Sequence, residues 1–383
     1  MMSHLQALSC ILRNSINGIR GSGKYRCHLL FIKMKLNLLF SELESRLARV
    51  REGLSRDGLT HILVSNKSNL FYLTGLGSGV AVVGLDEAVL WLKDLYIKQH
   101  SSLYEDDKYP LIVRPYDRKA VFDYLKQINR GLGVEDISVS SYNRVVENLG
   151  YKPPTTEVIE SERMIKSDYE IGLLEKSASI AVKGMDKARE VAVHGCSEAE
   201  AAAEVEAELR RLGSECPPFK QGILLASGSA TADIHANPQL KKIKNNSLVL
   251  VDLGARYGNY YSDMTRTFTV GSVGGEIRQM MEFVSNLELE TIDLLHVGLS
   301  VGEIHEHVEE KIQHKGLRFY HSTGHGVGLD VHEKPSISAD SDLVVREGMV
   351  FTIEPGIYLA NKYGVRFEDM VHVRKNKIRV LTK

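Results

Sequence analysis

Residues 245–254, NNSLVLVDLG, read as a buried strand that ends in an acidic residue, Asp252, two positions before a glycine. A second stretch at 346–356, REGMVFTIEPG, repeats this pattern, with Glu354 two positions before Gly356. A carboxylate at the end of an apolar strand loses hydration, so it must be paired, hydrogen-bonded or bound to a metal ion. The two strands therefore indicate both a duplicated fold and a candidate chemical site.

The elements around these two strands also repeat in the same order. A Ser-x-x-Glu capping pattern opens a helix at Ser197 and another at Ser300, and each helix ends near a glycine. A histidine-bearing loop, the strand with its acid and a second acid follow each time: ASGSATADIHANP with His235, then Asp252 and Asp263; STGHGVGLDVHE with His325 and His332, then Glu354 and Glu368. This ordered repeat predicts that residues 160–383 form two related α+β halves that face each other.

Four carboxylates that converge cannot all stay ionised without cations. Ion pairs with Arg266 and Arg366 are a structural alternative, and they would offset part of the charge. A pair of divalent metal ions explains the pattern better, because carboxylates can bridge two ions and one neutral imidazole completes a shell. Among the histidines we select His325, which has glycine on both sides, as the ligand, and expect His332 and His235 to contact substrate or donate a proton.

Other catalytic motifs are missing from the sequence. It contains neither GxSxG nor HExxH nor a Walker-type phosphate loop, and no cysteine stands in a convincing nucleophile context. The 383 residues are 43% hydrophobic and 25% charged, with a formal net charge of −1, which argues against a nucleic-acid partner. Four scattered cysteines and the lack of a long apolar run predict a cytoplasmic protein without a membrane-spanning helix.

The chain before the repeat predicts a separate α/β domain over residues 41–157. A helical pattern at 41–58 is followed by strand-like runs with glycines between them, and the proline-rich KPPTTE at 152–157 marks a boundary. This domain carries no chemical motif, so we expect a structural or oligomer-forming role. Residues 1–40 are basic and lack acids, which suits a disordered tail, a start-site extension upstream of Met34 or a transit peptide.

The motif string resembles that of the pita-bread metallopeptidases, the creatinase and methionine-aminopeptidase superfamily. It runs VDLG, SDMTRTF, GHGVGLDVHE, TIEPGIY and VRFED, in this order. With RMIKSDYEI and the domain before it, residues 42–383 are most similar to the Xaa-Pro dipeptidase (prolidase) and Xaa-Pro aminopeptidase branch. The resemblance implies an α/β N-terminal domain plus an α+β pita-bread catalytic domain with an internal pseudo-twofold repeat, at residues 158–383.

The resemblance also implies the role of each site residue. Asp252 would chelate one metal ion, Asp263 and Glu368 would bridge both, and His325 and Glu354 would complete the other site. Glu354 would also act as general base and then as general acid, and Arg366 would hold the carboxylates in place. His332 and His321 would line the pocket for the scissile carbonyl and the proline, and His235 would contact the substrate from the other half of the repeat.

The function implied is hydrolysis of the bond before proline by two divalent metal ions, Mn or Co first, with Zn or Fe as alternatives. The substrates would be short peptides with proline at the second position, and the protein would be a homodimer with neither nucleic acid nor membrane as a partner. VHEKP resembles the dipeptidase form of its motif, although dipeptidase and aminopeptidase activity stay open. Two alternatives remain: a different hydrolase on the same two-metal site, and a binding module on an inactive peptidase fold, which would have lost a ligand.

Overall fold

The computed structural model describes residues 23–128, 130–217 and 219–383, so the prediction for residues 1–22 lies outside the described residues. The chain forms two compact units that divide between Arg163 and Met164. The sequence placed this boundary between residues 157 and 158. Each unit has its own buried apolar cores.

The first unit is a mixed α/β domain. Its elements are α1 Gly23–Arg56, β1 His61–Val64, α2 Lys67–Thr74, β2 Val80–Gly84, β3 Ala88–Leu92, α3 Asp94–Tyr104, β4 Ile112–Pro115, α4 Arg118–Gln127, β5 Leu132–Val134, α5 Val139–Leu149 and α6 Val158–Arg163. The strands form one sheet in the order β4-β3-β2-β1-β5. The outer pairs, β3 with β4 and β1 with β5, are parallel, and the inner pairs are antiparallel. Trp91 lies in the core of this sheet.

Helix α1 begins at Gly23, well before residue 41, where the sequence suggested that the domain starts. The apolar side chains of Leu36, Leu39, Phe40, Leu43 and Leu47 recur at helical spacing and are all buried. Residues 36–40 thus continue the apolar face of the helix, whereas the sequence analysis began the helical pattern at residue 41.

The second unit carries the repeat. Its elements are α7 Asp168–Val191, α8 Glu198–Arg211, β6 Leu224–Ser227, the 3₁₀ turn Gly228–Ala232, β7 Ser247–Leu253, β8 Arg256–Tyr257, β9 Tyr260–Tyr261, β10 Met264–Val270, α9 Gly275–Leu294, α10 Val301–Gln313, β11 Gly324–Gly326, β12 Glu333–Ile337, β13 Val350–Ile353, β14 Gly356–Leu359, β15 Tyr363–Arg366, β16 Asp369–Arg374 and β17 Lys377–Val380.

The two halves of this unit have matching sheets. Strand β7 lies between β6 and β10 in the first half, and β13 lies between β11 and β16 in the second, with antiparallel pairing throughout. A short hairpin precedes the last strand of each set, β8–β9 in one half and β14–β15 in the other. The two sheets meet at an isolated bridge between Thr265 on β10 and Glu368, directly before β16. The structure thus has the predicted duplicated α+β architecture.

The helix caps follow the sequence in part. Ser167 caps α7 and Ser197 caps α8, and both form complete capping boxes with the glutamate three residues on. Ser300 occupies the matching position before α10, but its side chain makes no capping hydrogen bond to any residue that the structure describes. The duplicated sequence pattern therefore gives the same helix start with two different sets of contacts.

No helix in the described part of the chain is long and apolar enough to cross a membrane.

Candidate active site

The four predicted acids lie where the two sheets meet. Asp252 is in β7 and Asp263 directly precedes β10, whereas Glu354 follows β13 and Glu368 directly precedes β16. Within the described residues, their oxygens and the nearby histidine nitrogens form three overlapping groups whose ligand atoms lie within 4.8 Å of one another: Asp252–Asp263–Glu368, His325–Glu354–Glu368 and Asp263–His325–His332. The structure therefore brings together all five residues predicted as metal ligands.

Burial and mutual repulsion perturb these carboxyl groups. Asp263 and Glu368 are each 2% exposed. Burial raises the pKa of Asp263 well above its ordinary value, and the charges of Glu368, Asp252 and Glu354 raise it further. Burial likewise raises the pKa of Glu368 and of Glu354. Ionising these carboxyl groups together is therefore unfavourable unless a cation is bound among them.

Two carboxylate oxygens support the same conclusion. Asp252 Oδ1 and Asp263 Oδ1 are buried, and neither has a hydrogen-bond partner among the described residues. Buried polar atoms in native proteins nearly always have a partner, so each orphan atom requires an explanation. A divalent ion prefers such oxygen ligands. The donor set therefore fits metal ions, with ligands from both halves.

His325 is oriented as a ligand. Its Nδ1 donates to the carbonyl oxygen of Gly326 at 3.1 Å, which leaves Nε2 without a proton in the neutral ring. That Nε2 lies 3.5 Å from Glu354 Oε1 and 3.7 Å from Asp263 Oδ2. Burial lowers the pKa of His325, which favours the neutral ring. Its lone pair thus faces carboxylate oxygens, an arrangement that a cation between them would stabilise.

The glycines beside His325 let neighbouring strands pack closely. A Cβ on Gly324 would lie 1.8 Å from the carbonyl oxygen of Thr352, and one on Gly326 would lie 2.1 Å from that of Lys334. The missing side chains therefore let β13 and β12 approach β11 closely. Neighbouring strands fill the space that side chains at positions 324 and 326 would occupy. This close strand packing positions His325.

Arg366 connects the two halves of the site. Its Nη2 donates to Asp252 Oδ2 at 2.7 Å, its Nε to Thr265 Oγ1 at 3.1 Å and its Nη1 to Tyr358 OH at 2.9 Å. Thr265 in turn donates to Glu368 Oε2 at 2.6 Å. Arg266, the other arginine considered as an ion-pair partner, instead binds Asp369 Oδ1 at 2.6 Å. The ion-pair alternative thus accounts for Asp252 alone among the four acids.

The other predicted histidines surround the cluster at different depths. His332 is exposed, and its ring meets that of His325 edge to face with centroids 4.1 Å apart. Loss of hydration, followed by repulsion from His325, lowers the pKa of His332 to about 4.

His321 Nδ1 donates to the carbonyl oxygen of Ser322, so its Nε2 accepts from Tyr358 OH at 3.0 Å. His235 is exposed in the turn after the 3₁₀ helix, and its charge contributes to the lowered pKa values of His321 and His332.

Three residues of the site were not selected from the sequence. Tyr358 joins Arg366 to His321, Thr265 joins Arg366 to Glu368, and Thr352 accepts from the backbone N–H of His325 at 3.1 Å. All three stand inside quoted motifs, Thr352 and Tyr358 in TIEPGIY and Thr265 in SDMTRTF. Thr265 alternates with Thr267 along β10, a period that predicts a shared face and is the signal that could have identified it.

Comparisons with known proteins cover both units. The sequence pattern of metallopeptidase family M24 matches residues 172–375, and that of the creatinase/prolidase N-terminal domain matches residues 46–165. Both matches agree with the resemblance stated from the motifs.

Individual relatives match over nearly their whole length. The Xaa-Pro dipeptidase of Pyrococcus furiosus is 35% identical over 353 residues, which cover 89% of this chain and 98% of the relative. The Xaa-Pro dipeptidase of Pyrococcus horikoshii is 32% identical over 351 residues, covering 89% and 97%. The solved structure of the Xaa-Pro dipeptidase from Bacillus anthracis superimposes with a TM-score of 0.82 at 30% identity, over 89% of this chain and 98% of that one. These matches confirm the predicted pita-bread fold class.

Proposed function

This chain belongs to metallopeptidase family M24 and is a metallo-exopeptidase, and we propose that it hydrolyses the peptide bond before proline in Xaa-Pro substrates with two divalent metal ions. The observation that carries the proposal is the convergence of Asp252, Asp263, His325, Glu354 and Glu368 in overlapping groups with ligand atoms within 4.8 Å. Each ligand type of a two-metal hydrolase is present, and each half of the repeat contributes to the set.

The positions of the side chains support the residue roles that the resemblance implies. Asp263 and Glu368, the most buried acids, each belong to two of the three groups and would bridge both ions. Asp252 lies on one side of them, and His325 with Glu354 on the other. Mn or Co is our first choice of metal, with Zn or Fe as alternatives, because carboxylate-rich sites accept several divalent ions.

When bound, the ions would polarise the scissile carbonyl and lower the pKa of a shared water. Glu354 is the group that would take the proton of the attacking water and deliver it to the proline nitrogen.

The proline side of the substrate sets a further requirement. The bond before proline is a tertiary amide without an N–H, so the site must recognise the ring and protonate its nitrogen rather than bind a backbone donor. His332 and His321 would line this pocket, and His235 would reach it from the first half of the repeat. Arg366 holds Asp252, and through Thr265 also Glu368, in a fixed orientation.

We favour dipeptides over longer peptides as substrates. The two curated relatives described above carry the name Xaa-Pro dipeptidase, and VHEKP resembles the dipeptidase form of its motif. A cytoplasmic location and a homodimer, expected from the sequence and the resemblance, are part of this proposal. Size-exclusion chromatography with light scattering would check the dimer.

The test uses the full chain, stripped of metal and then supplied with Mn²⁺ or Co²⁺. It is offered a Xaa-Pro dipeptide, a Xaa-Pro-Yaa tripeptide and a Xaa-Ala dipeptide as the matched control. We expect release of the first residue from the Xaa-Pro dipeptide alone, measured by mass spectrometry. Cleavage of the tripeptide would make the protein an aminopeptidase, and equal cleavage of Xaa-Ala would remove the proline assignment. A protein that binds no metal and cleaves none of them would fit the binding-module alternative.

A further inference from the structure

A buried ion pair joins two side chains that are not among the predicted metal ligands. Lys166 Nζ lies 2.8 Å from Glu333 Oε1, and the two side chains are only 1% and 9% exposed. Lys166 stands in RMIKSDYEI at the start of the second unit, and Glu333 follows His332 in the motif VHEKP. Removing two charges from water is costly, so a pair this deeply buried is weak evidence for stability and suggests another purpose.

The carboxylate of Glu333 organises the loop that carries His332. Its Oε2 accepts from the backbone N–H of Asp330 at 3.3 Å, inside the same loop. A Cβ on Gly328 would lie 2.4 Å from Oε1 of Glu333. The loop therefore passes close to the carboxylate because residue 328 has no side chain. Residues 328–333 therefore fold around this one side chain, which also begins β12.

Both ends of the ion pair are attached to rigid parts of the second unit. The backbone N–H of Lys166 donates to the carbonyl oxygen of Gly348 at 2.9 Å, and Ile165 bridges Met349 directly before β13. Glu333 pairs with Gly326 in the β11–β12 ladder, next to His325. Lys166 thus links the loop to the strands that carry His325 and Glu354.

We propose that Lys166 and Glu333 are positioning residues that hold His332 against His325 in the orientation needed for catalysis. His332 is exposed and its ring meets that of His325 edge to face, so the orientation of the ring depends on the backbone that carries it. The residue next to it is fixed by the buried pair, and this fixes the backbone from which the ring projects. The assignment of a catalytic role to His332 rests on the proposed function, whereas the ordering of the loop does not.

The first test compares the variants Lys166→Met and Glu333→Gln with the wild type in Xaa-Pro dipeptide hydrolysis. Each should lower kcat by about 10- to 100-fold, the usual cost of losing an outer-shell partner, with little change in KM and Mn²⁺ affinity. Lys166→Arg, which keeps the charge, should recover most of kcat. Lys311→Met, which breaks an exposed pair with Glu290, is the control and should leave kcat unchanged. Equal kcat in Glu333→Gln and the wild type would overturn the proposal.

The second test separates positioning from stability. Replacing both partners of a buried ion pair with apolar residues commonly restores stability. The double variant Lys166→Met/Glu333→Met should therefore regain the melting temperature lost in Lys166→Met but keep the low kcat. Recovery of kcat together with the melting temperature would show a merely structural pair and refute our assignment.

The third test does not depend on peptidase activity. In protein with labelled histidine, the edge-to-face contact gives the His332 ring protons a shift from the ring current of His325. Glu333→Gln and Gly328→Ala, which displaces the carboxylate sterically, should both remove this shift. A shift kept in both variants would refute the positioning, whereas a wild type that shows the shift but cleaves no Xaa-Pro substrate would refute the proposed function alone.

Discussion

Asp263 shows at the scale of one residue why this site requires cations. Its side chain is buried beside three other acids, its Oδ1 has no hydrogen-bond partner among the described residues, and burial raises its pKa. In the metal-free protein such a group is a source of strain between like charges. The same charge becomes favourable once divalent ions occupy the site. The carboxylate of Asp263 should therefore lower the stability of the metal-free protein, although it favours metal binding.

The variant Asp263→Asn should separate the effect of this carboxylate on stability from its effect on metal binding and activity. It removes one buried charge, so the metal-free variant should melt at a higher temperature than the metal-free wild type. Added Mn²⁺ should raise the melting temperature of the wild type but not of the variant, and activity should fall by at least about 1,000-fold, as when central catalytic groups are removed from other enzymes. Differential scanning fluorimetry with and without Mn²⁺, beside a hydrolysis assay, measures all three effects.

Asp186→Asn is the control, because Asp186 is exposed on α7, away from the acidic cluster. It should change none of the three readouts. An Asp263→Asn protein that keeps full activity would contradict the assigned role of Asp263.

Tyr358 gives a second prediction at this scale. Its hydroxyl accepts from Arg366 Nη1 and donates to His321 Nε2, in a part of the site that is almost wholly buried. Tyr358→Phe leaves both partners unpaired, which should reduce the free energy of unfolding by about 1–3 kcal/mol. We also expect a lower kcat with Mn²⁺ binding retained, since the hydroxyl lies outside the three ligand groups. Denaturant unfolding and steady-state kinetics check this, and an unchanged kcat would show that His321 needs no support from Tyr358.

At the scale of elements, the two related helix starts make a matched pair. Ser197 Oγ accepts from the backbone N–H of Glu200 at 3.2 Å, whereas Ser300 makes no such bond to a described residue. Ser197→Ala should cost about 1 kcal/mol of stability, the usual value of an N-cap. Ser300→Ala should cost clearly less. Urea unfolding of both variants tests the difference, and equal losses would mean that Ser300 also caps its helix in solution.

Glu288 on α9 predicts a pH dependence for its element. Burial, and then the charge of Asp369, raises its pKa to about 9 in the folded protein. Below the ordinary pKa of 4.5, both the folded and the unfolded state carry the proton, so the group has no effect on stability. Between 4.5 and about 9 the unfolded state ionises while the folded state keeps the proton, so stability falls as pH rises, by up to about 1.4 kcal/mol per pH unit.

Glu288→Gln mimics the protonated acid and should remove this dependence. The variant should resemble the wild type near pH 5 and become progressively more stable than it toward pH 8. Melting temperatures across this range, in a buffer series of constant ionic strength, measure the effect. A constant difference between the two proteins at all pH values would contradict the raised pKa.

The sequence predicted the elements of the repeat better than their contacts. The strand patterns around Asp252 and Glu354 and the capping box at Ser197 depend on neighbours along the chain, so local patterns indicate them. The bridge between Thr265 and Glu368 depends on how two sheets meet, which local patterns do not contain. The start of α1 was placed too late, because the basic composition before residue 41 obscured the helical spacing that begins at Leu36.

At the scale of the whole molecule, the acids and His325 were predictable because the duplication marks the same position twice. The hydrogen bonds that join Arg366, Tyr358 and His321 were less predictable. These residues come together only when the chain folds. Lys166 and Glu333, far apart in sequence, are the extreme case, since only the structure places the two charges together.

Metal binding should also stabilise the whole second unit, because the proposed ligands come from both halves of the repeat. An ion that binds only the folded state adds about 2.7 kcal/mol of stability at a concentration 100 times its dissociation constant. The melting temperature of the stripped protein should therefore rise with Mn²⁺ concentration. Mg²⁺, which keeps much of its own water and demands octahedral geometry, should act more weakly. An identical response to both ions would argue against a preformed site with a neutral imidazole ligand.

The central claim is that two metal ions held by five side chains perform the hydrolysis. It is tested most directly by titrating the stripped full-length chain with Mn²⁺ while counting bound ions and measuring Xaa-Pro dipeptide cleavage on the same samples. Our account predicts binding that saturates at two ions per chain, with cleavage that requires them. Full cleavage by the stripped protein would contradict it. So would full cleavage by a protein that binds no Mn²⁺ ion at this site.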